Sequence, residues 1–230
     1  MTCKRILATL LMTLPFASAQ AASDHLDLTG VTHIRILGQP GSVVLTTGPA
    51  EAYSGAISHK RSGWIGQLSS IWSYGECTTK STLKVESDTL TVDIASSELS
   101  NCHATFTANV KEGSSVTIEQ PAAEIDLKGV FRQVRLVSSA ADFNFSGEVR
   151  DLDLNSNALK ANIAYTSVHK DETIMIDSKF MDADMRFADT DAISYRIDAD
   201  ASMVNSRFPN TQGVKPEVLI KAEKAKVSIN

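Results

Sequence analysis

The chain has 230 residues, with 22 basic against 27 acidic side chains, a formal net charge of −5 and only 6% aromatic residues. That balance argues against nucleic acid or an anionic lipid surface as partner, since both reward a basic face. Scarce aromatics leave the core to Val, Ile, Leu, Ala and Met, and the length suits one large all-β domain or two small ones.

Residues 1–21 read MTCKRILATLLMTLPFASAQA, with Lys4 and Arg5 ahead of an apolar run and small residues at its end. This is the three-part pattern of a secretory signal peptide. Ala17-Ser18-Ala19 and Ala19-Gln20-Ala21 both satisfy the small-x-small rule, so cleavage is expected after residue 19 or 21, with Ala22 taken as the mature start. Cleavage leaves 20 basic against 27 acidic residues, a net charge of about −7. The apolar run of about ten residues falls short of the roughly 20 needed to span a bilayer, and Cys3 sits in the basic head, away from any acylation position. No later segment reads as transmembrane, so a location in the periplasm, in the medium or at the cell surface is expected.

After the leader, Leu26-Asp27-Leu28, Ile34-Arg35-Ile36 and Val43-Val44-Leu45 alternate as half-buried strands do, the last two starting nine residues apart. Between Ala50 and Gly113 the rhythm is interrupted. Residues 59–77, HKRSGWIGQLSSIWSYGEC, contain both tryptophans, with Trp64, Leu68, Ile71 and Trp72 at helical spacing and Gly63 and Gly66 weakening a helix. Three readings stand: a cap over an open end of the β core, a contact surface for an envelope protein, a glycan or a membrane interface made by His59, Lys60, Arg61, Trp64, Leu68, Trp72 and Tyr74, or a disordered loop. Cys77 closes the segment. In an oxidising compartment it is expected to pair with Cys102, closing a loop of about 25 residues for roughly 3 kcal/mol. Strands follow at 81–85, 89–94 and 104–110, the first two as a hairpin through Ser87-Asp88.

The most regular stretch comes next. Val116-Thr117-Ile118, Ile125-Asp126-Leu127, Val134-Arg135-Leu136, Phe143-Asn144-Phe145 and Leu152-Asp153-Leu154 start nine residues apart each time. Small or polar residues such as Ser138-Ser139-Ala140-Ala141 and Ser146-Gly147-Glu148 separate them and suit turns. The pattern loosens at Ile163, Ile174, Met185 and Tyr195, passes a Pro- and Gly-containing loop at 205–216, and returns to nine at Val218 and Val227. A single short strand cannot bury its apolar face alone, so the units must stack or pair. The expectation is an all-β, single-stranded β-solenoid (β-helix) of roughly nine-residue strand-turn units over residues 114–230, after a less regular β region over 22–113. An antiparallel meander is the competing geometry. Two steps make an 18-residue coil that would set Arg135 over Asp153 and line up Asp126, Asn144 and Asn162.

Catalytic chemistry has no motif here. His25, His33, His59, His103 and His169 lack metal-ligand spacing, and there is no GxSxG, phosphate loop or dinucleotide fingerprint. Asp182, Asp184, Asp189 and Asp191 lie close in sequence without a calcium-loop pattern. No cofactor, metal or catalytic residue is expected.

The stretches Gly41–Leu45 and Phe106–Ile118, with the strand-turn units from Ile125 to Ile197, resemble a bacterial putative-adhesin family of unknown function related to autotransporter adhesin heads. Ser146-Gly147-Glu148-Val149 is the one close version of that family's Ser-Gly-Asp-hydrophobic turn, with Glu148 in place of Asp, and the other turns carry Asn, Ala or Asp. The resemblance implies an exported β-solenoid and no site residues to carry over. The expected function is an envelope-associated, adhesin-like or structural binding module that is not an enzyme. The alternatives are a periplasmic carbohydrate-acting β-helical lyase or hydrolase and a periplasmic accessory or chaperone-like protein.

Overall fold

The computed structural model describes residues 26–61, 80–96 and 102–230. Their strands are β1 (Leu26–Asp27), β2 (His33–Gly38), β3 (Gly41–Thr47), β4 (Ser54–Arg61), β5 (Thr82–Glu86) and β6 (Thr89–Ile94). They continue as β7 (Cys102–Val110), β8 (Ser114–Glu119), β9 (Ala122–Tyr165), β10 (Thr173–Phe187), β11 (Ser194–Ser206) and β12 (Glu217–Ile229).

All twelve join one sheet. Alternation builds its inner face: in β9, Ile125, Leu127, Val134, Leu136 and Phe143 are fully buried while Asp126 and Arg135 between them point outward. Parallel register then stacks like on like. Leu90, Ile34, Val116 and Val134 follow one another across β6, β2, β8 and β9. Leu152, Ile174, Val218 and Tyr195 continue the row across β9, β10, β12 and β11. A second row runs Phe106, Val43, Ile125 across β7, β3 and β9. Both rows belong to one core.

The 44-residue β9 turns corners without leaving the extended conformation. The small polar residues at those corners satisfy local backbone groups: the Ser156 hydroxyl donates to the Ala158 carbonyl (3.0 Å), and Ser178 does the same to Phe180 (3.0 Å). Glycine is required at another corner. Gly129 and Gly147 have φ of +121° and +150°, and a Cβ on Gly147 would stand 1.9 Å from the Gly129 carbonyl oxygen. At the turn into β10 the buried Glu172 carboxylate accepts from the backbone N–H groups of His169 and Asp171. Above it, the Glu148 carboxylate hydrogen-bonds His169 (2.8 Å) and holds its imidazole pKa above the ordinary value.

An aromatic file fills one corner of the interior. Phe131, Phe145, Tyr165, Phe187 and Phe208 succeed one another at centroid distances of 6.4, 5.6, 5.2 and 6.4 Å.

The expected open, single-stranded β-solenoid (β-helix) is corrected by this topology. The strands form a single all-β sheet, nearly closed into a barrel around the shared core, and they do not follow one another as a uniform nine-residue repeat. The path β1-β4-β7-β3-β9-β8-β2-β6-β5 is not in chain order, and β12 is inserted between β10 and β11. Three pairings, β1 with β4, β4 with β7 and β5 with β6, are antiparallel. The physical reason is that nine-residue spacing fixes which side chains face inward and leaves open which strands are neighbours. Downstream the register lengthens: Asp151 lies opposite Thr173 because the 166–172 turn is interposed. The 18-residue stacking within β9 does hold. Arg135 reaches Asp153 (3.6 Å), the Asn162 amide donates to Asn144 (2.8 Å), and Ser138 donates to Ser156 (2.9 Å).

Candidate ligand groove

One outer corner of the sheet is lined by small side chains and forms an open groove of about 990 Å³ that crosses the strands. Ala122 and Ala123, Ala140 and Ala141, and Ala158 and Leu159 recur at 18-residue steps along β9, and Phe180 with Met181 and Ala201 with Ser202 extend the line into β10 and β11. Ala123, Ala141, Leu159 and Met181 form a buried floor. Phe180 stands out at 48% exposure, with the Lys224 ammonium 5.8 Å from its ring centroid.

A row of polar side chains flanks the floor. Strand register places Ser42 beside Glu124, and Lys160, Asp182 and Lys226 on successive strands, with the apolar Met203 ending the row. Lys160 pairs with Asp142 at 3.2 Å and Lys226 with Asp182 at 2.9 Å. Both pairs are largely exposed, so each contributes on the order of 0–1 kcal/mol and stays available to a ligand. At the β3 end the Ser42 hydroxyl donates to Glu124 Oε2 (2.9 Å) and lies 2.7 Å from His103 Nε2. Its single proton is given to the carboxylate, so Nε2 must carry the hydrogen toward Ser42. A nucleophilic serine needs the opposite, an imidazole lone pair accepting its proton. The trio therefore orders the rim without activating Ser42.

The sequence-derived contact residues are only partly placed. His59 lies half-buried in β4, its Nε2 3.0 Å from Ser81 Oγ, and Lys60 beside it is exposed. Lys60 and Arg61 sit opposite His103 and Cys102 in the antiparallel β4–β7 pair. Trp64, Leu68, Trp72, Tyr74 and Cys77 lie outside the described residues. Cys102, at the start of β7, is buried. Among the four clustered aspartates, Asp182 is paired with Lys226 and Asp184 with Arg186 (3.1 Å). The described residues contain no group of three or more His, Cys, Asp or Glu side chains that could hold a metal ion, and no helix among them is long and apolar enough to cross a membrane.

No protein-family pattern matches the chain, and no curated protein matches it. Two solved structures are similar to it. A putative cell adhesion protein from Clostridium sporogenes is 11% identical with a TM-score of 0.39, the match covering 88% of this chain and 92% of that one. A putative adhesin from Bacteroides fragilis is 13% identical with a TM-score of 0.29, covering 90% and 94%.

Sequence reasoning passed over the groove. Its signal was present, because Ala122-Ala123 and Ala140-Ala141 are 18 residues apart, but small residues between strands read equally well as turns. Ser42, His103 and Glu124 gave no signal, being 61 and 82 positions apart in chain.

Proposed function

We propose that this protein is an exported, non-catalytic binding module of the adhesin type, and that its groove holds an extended glycan of the cell envelope or of a target surface. The observation that carries the reading is the repetition across the groove: a small apolar floor with a polar flank recurs on successive strands, about 4.8 Å apart. Such a surface offers one equivalent subsite per strand to a chain of repeated units. Alanine methyls and the exposed Phe180 ring suit the apolar faces of sugars, while Glu124, Asp142, Lys160 and Asp182 present acceptors and donors to hydroxyls. Each flanking carboxylate already has a partner, Glu124 in Ser42, Asp142 in Lys160 and Asp182 in Lys226, which favours holding a sugar chain over acid-base cleavage of it.

Titration calorimetry of the mature chain against peptidoglycan fragments and neutral β-linked oligosaccharides tests this. Ala140 is exposed in the groove, so Ala140→Arg fills it without disturbing the core. Ala140→Arg and Phe180→Ala are each expected to weaken binding by tenfold or more, about 1.4 kcal/mol. Absence of binding to every oligosaccharide, or equal binding by both variants, would overturn the reading.

A further inference from the structure

The sheet ends on β11, which pairs only with β12 among the described strands. An unpaired edge is a template for another strand, and proteins ordinarily blunt it. The first half of β11 is blunted. The Asn210 side chain accepts from the Tyr195 N–H (3.0 Å) and donates to the Tyr195 carbonyl (2.9 Å), and Arg196, Asp198 and Asp200 carry charge along that stretch.

The second half, Ala201–Ser206, pairs with no described strand on its outer side. It contains no charge, no proline and no glycine. Its register against β12 is unbroken from Ala201 to Ser206. Arg207 N–H donates to the Ile229 carbonyl on the β12 side. Because alternate residues of a parallel strand turn their amides the same way, Ser202, Val204 and Ser206 direct N–H and C=O away from β12, into the open edge. Val204 continues the buried row that includes Val227 and Ala183, yet it is 40% exposed, and Met203 is 69% exposed.

We propose that the Ala201–Ser206 edge docks the same edge of a second copy of this chain, antiparallel and two-fold symmetric about Val204. In that register Val204 faces Val204, Ser202 faces Ser206, and the outward amides on each side meet the outward carbonyls of the other, as an antiparallel hydrogen-bonded pair requires. The pairing covers the open end of the core and is uncharged throughout, so it carries no like-charge penalty. It is also self-limiting. The opposite margin ends on β1, two residues long, and on β5, whose exposed Lys84–Glu86 pair (2.6 Å) marks a short charged edge. Head-to-tail stacking finds no matching strand there among the described residues, and the isologous dimer closes. The inference does not depend on what the groove binds.

The test combines sedimentation equilibrium with hydrogen exchange on the mature wild-type chain at low and high concentration. A monomer–dimer equilibrium is expected, with amide protection of Ser202, Val204 and Ser206 rising at least tenfold at high concentration while Ile197 and Ala199 stay unchanged. Ser202→Pro removes an edge N–H that no described strand of the monomer uses, and Val204→Lys sets two ammonium groups against each other. Each variant should sediment as a monomer with the wild-type circular dichroism spectrum. A wild-type monomer at all concentrations, concentration-independent exchange at 201–206, open-ended oligomers, or a dimer that survives both substitutions would each overturn the proposal.

Discussion

The two margins of the sheet solve the problem of ending a β structure differently. Toward the N-terminus the sheet closes with short antiparallel pairs: β1 with β4, β4 with β7 and β5 with β6, in strands as short as two residues. Toward the C-terminus it runs through β10, β12 and β11 in parallel, 13 to 15 residues per strand. Parallel register brings equivalent positions of successive strands into one row, so the sequence there must repeat its apolar spacing. Antiparallel pairs bring unlike positions together and impose no such repeat. The antiparallel margin, ending on short or charged strands, is therefore the better-protected one, and the parallel margin leaves an edge open.

Despite that contrast, both regions share one core, and this gives the strongest way to break the comparison. Phe106 in β7 and Phe143 in β9 are both fully buried. Phe106→Ala and Phe143→Ala are each expected to cost about 3–5 kcal/mol, within a single cooperative urea transition followed by circular dichroism. If the two regions were independent units, Phe106→Ala would split the transition and leave the second step at the wild-type midpoint.

A smaller loss sharpens the account of the corner. Gly147→Ala puts a methyl onto the Gly129 carbonyl at a backbone φ of +150°. Strain and overpacking together should cost about 2–4 kcal/mol, read as a drop in thermal midpoint of roughly 4–16 °C. Gly213→Ala is the control for backbone strain alone. Gly213 also has positive φ, but nothing lies within 4 Å of its added Cβ, so it should lose distinctly less. Equal losses would mean that the close approach of the two glycines is unimportant.

How much of this was legible follows from which interactions obey a short period. Val134, Phe143 and Leu152 are buried as their spacing requires, and Arg135 over Asp153 and Asn144 beside Asn162 follow from the 18-residue step. Alternation reports only which way a side chain faces. It says nothing about β12 slipping between β10 and β11, because β11 and β12 carry the same apolar spacing and either would fit against β10. The antiparallel β4 was hidden for another reason: Ser54–Arg61 has few large apolar residues, and its Gly55 packs where a side chain would crowd Leu28 and Phe106. The groove was hidden because alanine at a corner signals a turn and a concave surface equally. Its polar rim was hidden because Ser42, His103 and Glu124 meet only after three distant strands have paired.

The smallest expected effect has the opposite sign and separates packing from polarity within the aromatic file. Tyr165 lies between Phe145 and Phe187, stacked on the latter with an interplanar angle of 17°. Its hydroxyl is buried with no hydrogen-bond partner among the described residues. Burial, with the carboxylates of Glu172 and Asp151 nearby, pushes the phenol pKa well above its ordinary range, so the group stays neutral. An unsatisfied buried hydroxyl costs about 1–3 kcal/mol, whereas the ring contributes the contacts that hold the file. Tyr165→Phe keeps the ring and removes the cost, so it should raise stability by about 1 kcal/mol and the thermal midpoint by roughly 2–4 °C. Tyr165→Leu, which loses the stack, should lower it. A Phe variant less stable than wild type would show that the hydroxyl is hydrogen-bonded after all, and that this corner of the core is held by polarity as well as by packing.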